Sequence, residues 1–276
     1  TARFPTLAST GWWPGGSFAF LPIVVGAGAL GALGIAYDAV EAFDEPQVRR
    51  LGDIATMVAG ALERAHLHDT NAHVALTLQR DLLPGSLPDF EPLELSATYR
   101  PADVALVGGD WYDAFPVDDG RLAVVVGDVA GNGIRAAASM GKIRHVIRAC
   151  AGAYREPSVV LQQANLLICR ANPHLFATAC YLTIDRDGTC RVAAAGHLPA
   201  LHVRPDGAQL LASVAGPPLG VRERASFRDH SFVLAPGESL LLYTDGLVER
   251  RDESLDESLA RLVALAETTG PWHEAD

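Results

Sequence analysis

The sequence predicts an α+β protein in which two mainly antiparallel sheets pack face to face and helices cover their outer faces. Three observations support this fold class. Short apolar strands predominate after residue 90, and the turns Asp118-Asp-Gly120 and Arg186-Asp-Gly188 join neighbouring strands into hairpins. The helical segments near residues 134–171 form a pair. With 276 residues, 49% of them hydrophobic, the chain can bury a core as one large domain or two modest ones.

The charge balance and the cysteines exclude several functional classes. A net charge of -11 argues against binding to nucleic acid or to an anionic membrane surface. The four cysteines, at 150, 169, 180 and 190, form no C-x-x-C pair and show no zinc-type spacing. We therefore expect free thiols in a reducing compartment, the cytoplasm, and neither a nucleic-acid nor a membrane partner.

The N-terminal region contains one apolar run, Ser17 to Tyr37, that is long enough to cross a membrane. Pro22 interrupts the run and Gly26-Ala-Gly28 divides it, so two strands joined by a tight turn are favoured over a spanning helix. A helix then begins at Asp44-Glu-Pro, which places an acidic N-cap before a proline in the first turn.

The helical pattern continues from Glu63 to Leu83 and ends at Pro84-Gly85. One interpretation of this segment is a rod for dimerisation and signalling, which predicts a homodimer through the 63–83 helix. The other is a helix that packs on its own domain.

The remaining elements follow from alternating apolar patterns and helical periodicity. The predicted strands are 93–99, 111–115, 122–126, 175–184, 190–195, 199–203, 208–213, 227–234 and 239–244, and the predicted helices are 134–151, 158–171 and 255–267.

Three of these strands each place an aspartate beside a glycine at a strand end. Asp110 lies in Gly108-Gly-Asp, Asp128 lies in Gly127-Asp-Val-Ala-Gly-Asn-Gly133, and Asp245 lies in Thr244-Asp-Gly246. Clustered carboxylates with flexible backbone nearby are what a hard divalent cation requires. Each piece alone also fits an ordinary turn, and residues 127–133 also fit a phosphate- or nucleotide-binding loop, although they lack the Lys-Ser/Thr ending of a P-loop.

Seven runs between Gln79 and Ala266 resemble the bacterial SpoIIE/RsbU branch of the metal-dependent protein phosphatases, relatives of protein phosphatase 2C. The runs are Gln79-Arg-Asp-Leu-Leu-Pro84, Gly108-Gly-Asp-Trp-Tyr-Asp113, Gly127-Asp-Val-Ala-Gly-Asn-Gly133, Phe176-Ala-Thr-Ala179, Ala195-Gly-His-Leu-Pro199, Pro218-Leu-Gly220 and Tyr243-Thr-Asp-Gly-Leu-Val-Glu249. The resemblance implies an α-β-β-α sandwich with a site for two divalent cations, Mn²⁺ or Mg²⁺, at one end of the two sheets.

The resemblance also implies roles for individual residues. Asp128 would bridge the two metals, the Val129 carbonyl would bind one of them, and Asp245 would bind the other. Asp110 would join the site on the Asp245 side, directly or through water.

The residues expected around these ligands are less uniform. Gly109, Gly127 and Gly246 would permit close approach of backbone, and Asn132 stands where many relatives carry histidine or lysine. Asp113 fits either a supporting role behind the ligands or a structural role, as a cap or an ion pair within the sheet. His197 fits either a general acid or a histidine that orders its loop, and the second is favoured.

The hairpin, the run Ala42-Phe-Asp-Glu45 and the helix that follows resemble the C-terminal half of a GAF sensor domain, which implies a partial sensor over residues 1–66; a small accessory hairpin and helix is the alternative. The other predicted domains are a linker or signalling helix (67–84) and a SpoIIE-type phosphatase domain (85–276). Members of this branch usually end with a strand beginning Asp-Asp, whose aspartate completes the first metal site, and this chain stops before one. Either the sequence is a fragment or this site lacks a ligand that Asp276 does not replace, in which case the first metal is expected to bind weakly.

The leading functional hypothesis is a metal-dependent serine/threonine phosphatase whose substrate is a phosphorylated regulatory protein, such as an anti-sigma-factor antagonist. The alternative is a catalytically weak or inactive phosphatase-like signalling module.

Overall fold

A computed structural model describes residues 16–26, 28–38, 42–100, 108–118, 120–171, 175–211, 216–250 and 252–272. The chain divides into two compact units, Thr1–Thr70 and Asn71–Asp276. Val107, Asp119 of the first predicted turn, residues 212–213 of a predicted strand and Asp276 lie outside the described residues. None of the helices in these ranges is long and apolar enough to cross a membrane.

The first unit contains an antiparallel hairpin of β1 (Ser17–Val25) and β2 (Gly28–Tyr37), as the interrupted apolar run predicts. Helix α1 follows over Glu45–Leu82 and crosses the boundary between the units. Its start is fixed by a reciprocal cap. The Gln47 N–H donates to Asp44 Oδ1 at 2.7 Å, and the Asp44 N–H donates to Gln47 Oε1 at 2.9 Å.

The second unit contains an entirely antiparallel five-stranded sheet in the order β3-β4-β5-β6-β9. Its strands are β3 (Asp110–Asp118), β4 (Arg121–Val129), β5 (Ala177–Asp185), β6 (Thr189–Ala195) and β9 (His230–Val233). Helices α2 (Gly133–Ala151) and α3 (Pro157–Ala171) pack on one face of this sheet.

A smaller sheet has the order β10-β7-β8. It consists of β7 (Leu201–Arg204), β8 (Gly207–Leu210) and β10 (Ser239–Leu241), and helix α4 (Leu255–Thr269) packs on β7 and β8. Ser254 and Glu257 form the capping box that begins α4.

Three apolar clusters fill the spaces between these layers. One joins α2 and α3 to the large sheet, a second lies between the large and small sheets, and a third joins the small sheet to α4. The predicted α-β-β-α sandwich is therefore confirmed. Because side chains alternate across a strand, odd-numbered residues of β4 and β5 face the helices and even-numbered residues face the second sheet.

Two predictions about strands were wrong. Residues 94–100 form no strand, and only a single bridge joins Phe90 to Leu93, because an apolar alternation without a partner has no ladder of hydrogen bonds. Strand β10 ends at Leu241, so Asp245 does not end a strand. It begins a 3₁₀ turn in which its carbonyl accepts the N–H groups of Val248 and Glu249.

Candidate metal centre

The first two aspartates are brought together by the register of one hairpin. Asp110 begins β3 and lies directly opposite Asp128, the penultimate residue of β4. Residues paired in this way project from the same face of a sheet. That face is the one turned toward the small sheet, because Trp111 and Val129, which neighbour the two aspartates in sequence, belong to the cluster on the helical side.

The third aspartate comes from the turn that follows the small sheet. Asp245 lies four residues beyond β10, and one carboxylate oxygen from each of Asp110, Asp128 and Asp245 lies within 4.8 Å of the other two. The side chain of Thr244, which precedes Asp245, interacts with the Asp110 carboxylate. The structure thus assembles the three carboxylates that the sequence predicts, although they are 117 positions apart between Asp128 and Asp245.

Burial and mutual repulsion among the carboxylates raise the pKa values of Asp110 and Asp128. Burial, followed by the charges of Asp110 and Asp245, raises the pKa of Asp128 from its ordinary 3.8 to about 7. Burial also raises the pKa of Asp110, an effect that the hydrogen bond from Thr244 opposes and the charge of Asp245 reinforces. Such crowding is relieved by a bound cation.

One atom of the cluster lacks the partner that its burial demands. Asp110 Oδ1 is buried and has no hydrogen-bond partner among the described residues. A buried oxygen of this kind costs about 1–3 kcal/mol unless something satisfies it. A divalent cation is bound by carboxylate oxygens and would satisfy this one, so the residues present suit a hard metal ion.

Because Gly109 has no side chain, the Val129 backbone carbonyl can lie next to it and close to the Asp128 carboxylate. The Val129 N–H donates to the Gly109 carbonyl at 3.1 Å. A Cβ added at Gly109 would overlap the Val129 carbonyl oxygen, and one added at Gly127 would overlap the Trp111 ring. The close approaches predicted at Gly109 and Gly127 are therefore present. Nothing in the described structure would lie within 4 Å of a Cβ added at Gly246.

The loop after β4 leads directly into α2. Gly131 and Gly133 have φ values of 106° and 76°, which residues other than glycine rarely adopt. Asn132 between them occupies the N-cap position of α2, but its side chain makes no capping hydrogen bond and is exposed.

Asp113 lies on the opposite face of β3 from Asp110. It is 1% exposed and accepts hydrogen bonds from Arg144 of α2 at 2.8 and 3.2 Å, with Arg148 a further 3.5 Å contact. Of the two roles left open by the sequence, the ion pair is the one that the structure contains, and it joins the sheet to the helix rather than to the carboxylates.

His197 lies between the two sheets and is buried. Its Nδ1 is 2.8 Å from Thr178 Oγ1, and its Nε2 is 3.0 Å from the Tyr243 carbonyl oxygen. Burial lowers its pKa to about 4, against opposing contributions from the Tyr243 carbonyl and the charge of Asp245. A histidine that is neutral at physiological pH and bonded at both nitrogens fits the structural role favoured by the sequence.

Sequence reasoning missed Tyr99 and Thr244. Burial, then the charges of Asp110 and Asp128, raise the pKa of Tyr99 to about 12, so this hydroxyl keeps its proton beside the cluster. Tyr99 was placed only at the end of a strand that does not form, and nothing in its local pattern distinguished it. Thr244 adjoins Asp245 in the predicted motif, which was the one available signal.

A cleft of about 340 Å³ opens beside the carboxylates and extends toward the start of α4. Its lining includes Asp128, Thr178, His197, Asp245, Arg250 and Ser258. A cleft of this size gives a substrate access to the carboxylates from the side of the small sheet.

Comparison with known proteins identifies similar sequences over most of the second unit. The family model for Stage II sporulation protein E (SpoIIE) matches residues 118–275. Protein IcfG of Synechocystis is 30% identical over 204 residues, which cover 63% of this chain and 32% of that protein. Phosphoserine phosphatase RsbU of Bacillus subtilis is 27% identical over 184 residues, covering 66% of this chain and 54% of RsbU. The chain thus spans about a third to a half of the length of these relatives.

Two solved structures share the fold. The RsbU and RsbW domains of Rv1364c from Mycobacterium tuberculosis superpose with a TM-score of 0.54 at 35% identity, over 59% of this chain and 46% of that one. The SiaA-PP2C domain of Pseudomonas aeruginosa superposes with a TM-score of 0.57 at 23% identity, over 75% of this chain and 92% of that one. The family match begins after Asp110, so the place of Asp110 in the cluster comes from the geometry.

Proposed function

Since this chain belongs to the SpoIIE family and carries a PP2C-type phosphatase domain, we propose that it is a Mn²⁺- or Mg²⁺-dependent protein serine/threonine phosphatase. The observation that carries the proposal is the meeting of Asp110, Asp128 and Asp245, with their carboxylate oxygens within 4.8 Å of one another. The buried, unpartnered Oδ1 of Asp110 supports a cation as the occupant.

The proposed ligands are Asp110, Asp128, Asp245 and the Val129 carbonyl, and two bound cations would supply the charge that activates a water and neutralises a phosphomonoester. The protein contributes position and charge. The β3–β4 register holds Asp110 opposite Asp128, and the hydrogen bond from the Val129 N–H to the Gly109 carbonyl fixes the backbone at Val129. Asp245 lies in the turn that follows the small sheet. The cleft beside Asp128 and Asp245 admits the substrate.

The proposed substrate is a phosphoserine or phosphothreonine on a regulatory protein, such as an anti-sigma-factor antagonist. Support comes from the likeness to a relative described as a phosphoserine phosphatase, Bacillus subtilis RsbU. The proposal includes a cytoplasmic location and no nucleic-acid or membrane partner, which the net charge of -11 supports.

The proposal assigns residues 1–66 to a partial GAF-like sensor, 67–84 to a signalling helix and 85–276 to the phosphatase domain. A homodimer through the 63–83 helix is also proposed. Leu67 and Val74, one heptad apart on α1, are 56% and 43% exposed, and a second copy of the helix would cover them. Light scattering should report a dimer that L67E with V74E converts to a monomer; a monomeric wild-type chain would contradict the dimer.

The test of function is phosphate release from an aryl phosphate and from a phosphoserine peptide during a Mn²⁺ titration. The wild-type activity should rise with Mn²⁺, and Asp128→Asn should reduce it by at least about a hundredfold. Asp252→Asn, which removes an exposed carboxylate, should change the activity little. A folded wild-type chain that binds Mn²⁺ yet releases no phosphate would instead identify a phosphatase-like signalling module.

A further inference from the structure

His197 occupies the space between the two sheets at the end where the carboxylates meet. It follows β6 through Gly196, whose φ of 64° turns the chain and whose absent side chain leaves room for Pro218. The imidazole is 6% exposed, and both ring nitrogens are within hydrogen-bond distance of a partner. One partner, Thr178, lies in β5 of the large sheet, and the other, Tyr243, lies in the segment that follows β10 of the small sheet.

The partners fix the tautomer. A carbonyl oxygen only accepts, so the contact of 3.0 Å to the Tyr243 carbonyl requires the proton to be on Nε2. Nδ1 is then an acceptor, and the Thr178 hydroxyl donates to it at 2.8 Å. The lowered pKa of about 4, caused by burial, is consistent with this neutral form. A ring that uses both nitrogens in this way has no proton free for a leaving group.

The two partners of His197 are close neighbours of two of the carboxylates. Thr178 lies directly opposite Asp128 in the pairing of β4 with β5. Tyr243 lies two residues before Asp245, in the irregular segment beyond the last paired residue of β10, Leu241. The hydrogen bonds of His197 therefore run from the strand beside Asp128 to the segment that carries Asp245.

A second contact, between the Thr244 side chain and Asp110, also lies at this end. That contact involves a carboxylate of the cluster itself. The His197 bridge instead uses a hydroxyl and a backbone carbonyl, so neither of its hydrogen bonds is made to a carboxylate of the cluster.

We propose that His197 is a positioning residue, a neutral bridge that sets the separation of Asp128 and Asp245 and thereby the affinity of the site for divalent cations. The inference rests on the proposed function in taking a divalent cation as the occupant. It predicts that His197 affects catalysis through cation binding and contributes no proton to the reaction.

The experiment measures Mn²⁺ binding by the full chain without substrate, using electron paramagnetic resonance of free Mn²⁺. The His197→Ala variant removes both hydrogen bonds, and Thr178→Val removes one while keeping the side-chain shape. Two matched variants keep the bonding: the amide of His197→Gln can still donate to the Tyr243 carbonyl, and Thr178→Ser keeps the hydroxyl donor.

We expect His197→Ala to weaken Mn²⁺ binding by about 10- to 100-fold, the range for loss of supporting hydrogen bonds around metal ligands, and Thr178→Val to weaken it less. Thr178→Ser and His197→Gln should stay within about threefold of wild type. At saturating Mn²⁺, the shape of the pH–activity profile should be unchanged in His197→Gln. Circular dichroism establishes that each variant is folded, and Thr178→Val provides the test if His197→Ala is not.

Unchanged Mn²⁺ affinity in folded His197→Ala or Thr178→Val would overturn the inference. So would loss of one limb of the pH profile in His197→Gln at saturating Mn²⁺, because that result identifies a proton donor. Failure of the proposed function has a different signature: the wild-type chain binds Mn²⁺ and the variants weaken it as expected, but no phosphate is released.

Discussion

Asp128→Asn is predicted to stabilise the metal-free protein while abolishing its response to metal. The substitution keeps the size of the side chain and removes its charge. The pKa of Asp128 is raised from 3.8 to about 7, first by burial and then by Asp110 and Asp245, so ionisation of this group opposes folding. A shift of about three units corresponds to about 4 kcal/mol, and partial exposure reduces this to about 1–2 kcal/mol.

The sign follows from the two proton affinities. The unfolded chain loses this proton near pH 4, and the folded chain keeps it until about pH 7. Between those values the folded state binds more protons, so wild-type stability falls as the pH rises and is then level above about pH 7. Asp128→Asn should therefore raise the melting temperature by about 3–6 °C at pH 8 in EDTA, and by about a third of that at pH 5.

Excess Mn²⁺ should reverse the order. A cation at 100 times its dissociation constant stabilises the wild-type protein by about 2.7 kcal/mol, and the variant should lose that gain. Thermal unfolding followed by circular dichroism measures both effects, with Asp252→Asn as the control for removing an exposed carboxylate. An Asp128→Asn variant that melts at or below the wild-type temperature in EDTA at pH 8 would refute the argument from carboxylate crowding.

Two further predictions separate the supports of the site from those of the fold. Asp113→Asn breaks a buried ion pair with Arg144 and should destabilise the protein by about 3 kcal/mol in urea unfolding, with the Mn²⁺ half-saturation of activity unchanged; a large change in half-saturation would instead connect Asp113 to the metal centre. Gly109→Ala should weaken Mn²⁺ binding at least about tenfold because its Cβ meets a backbone carbonyl, whereas Gly246→Ala has open space and should bind normally. Equal behaviour of the two alanine variants in a Mn²⁺ titration would contradict that reasoning.

Local signals predicted most of the elements. The Asp44 cap, the divided apolar run before residue 38 and the hairpins with glycine in their connections are each decided by a few neighbouring residues, and the structure confirms the cap and the pairing of these strands. The prediction of a strand at 93–99 failed because a strand requires a partner, and no local pattern reveals whether one is within reach. Tyr99 was missed for the same reason, since its meaning depends on carboxylates from other strands.

The sequence by itself determined the sandwich fold and the identity of the three carboxylates, because alternation, turn residues and the Asp-Gly pairs are all encoded over short distances. Only the tertiary structure decided how they act together. The β3–β4 register placed Asp110 opposite Asp128, and packing of the small sheet brought Asp245 to them. The packing of α2 on the other face of the large sheet placed Arg144 against Asp113, and the meeting of the two sheets gave His197 a partner from each side. Distances between separate sheets depend on how whole layers pack, and no single segment of sequence specifies them.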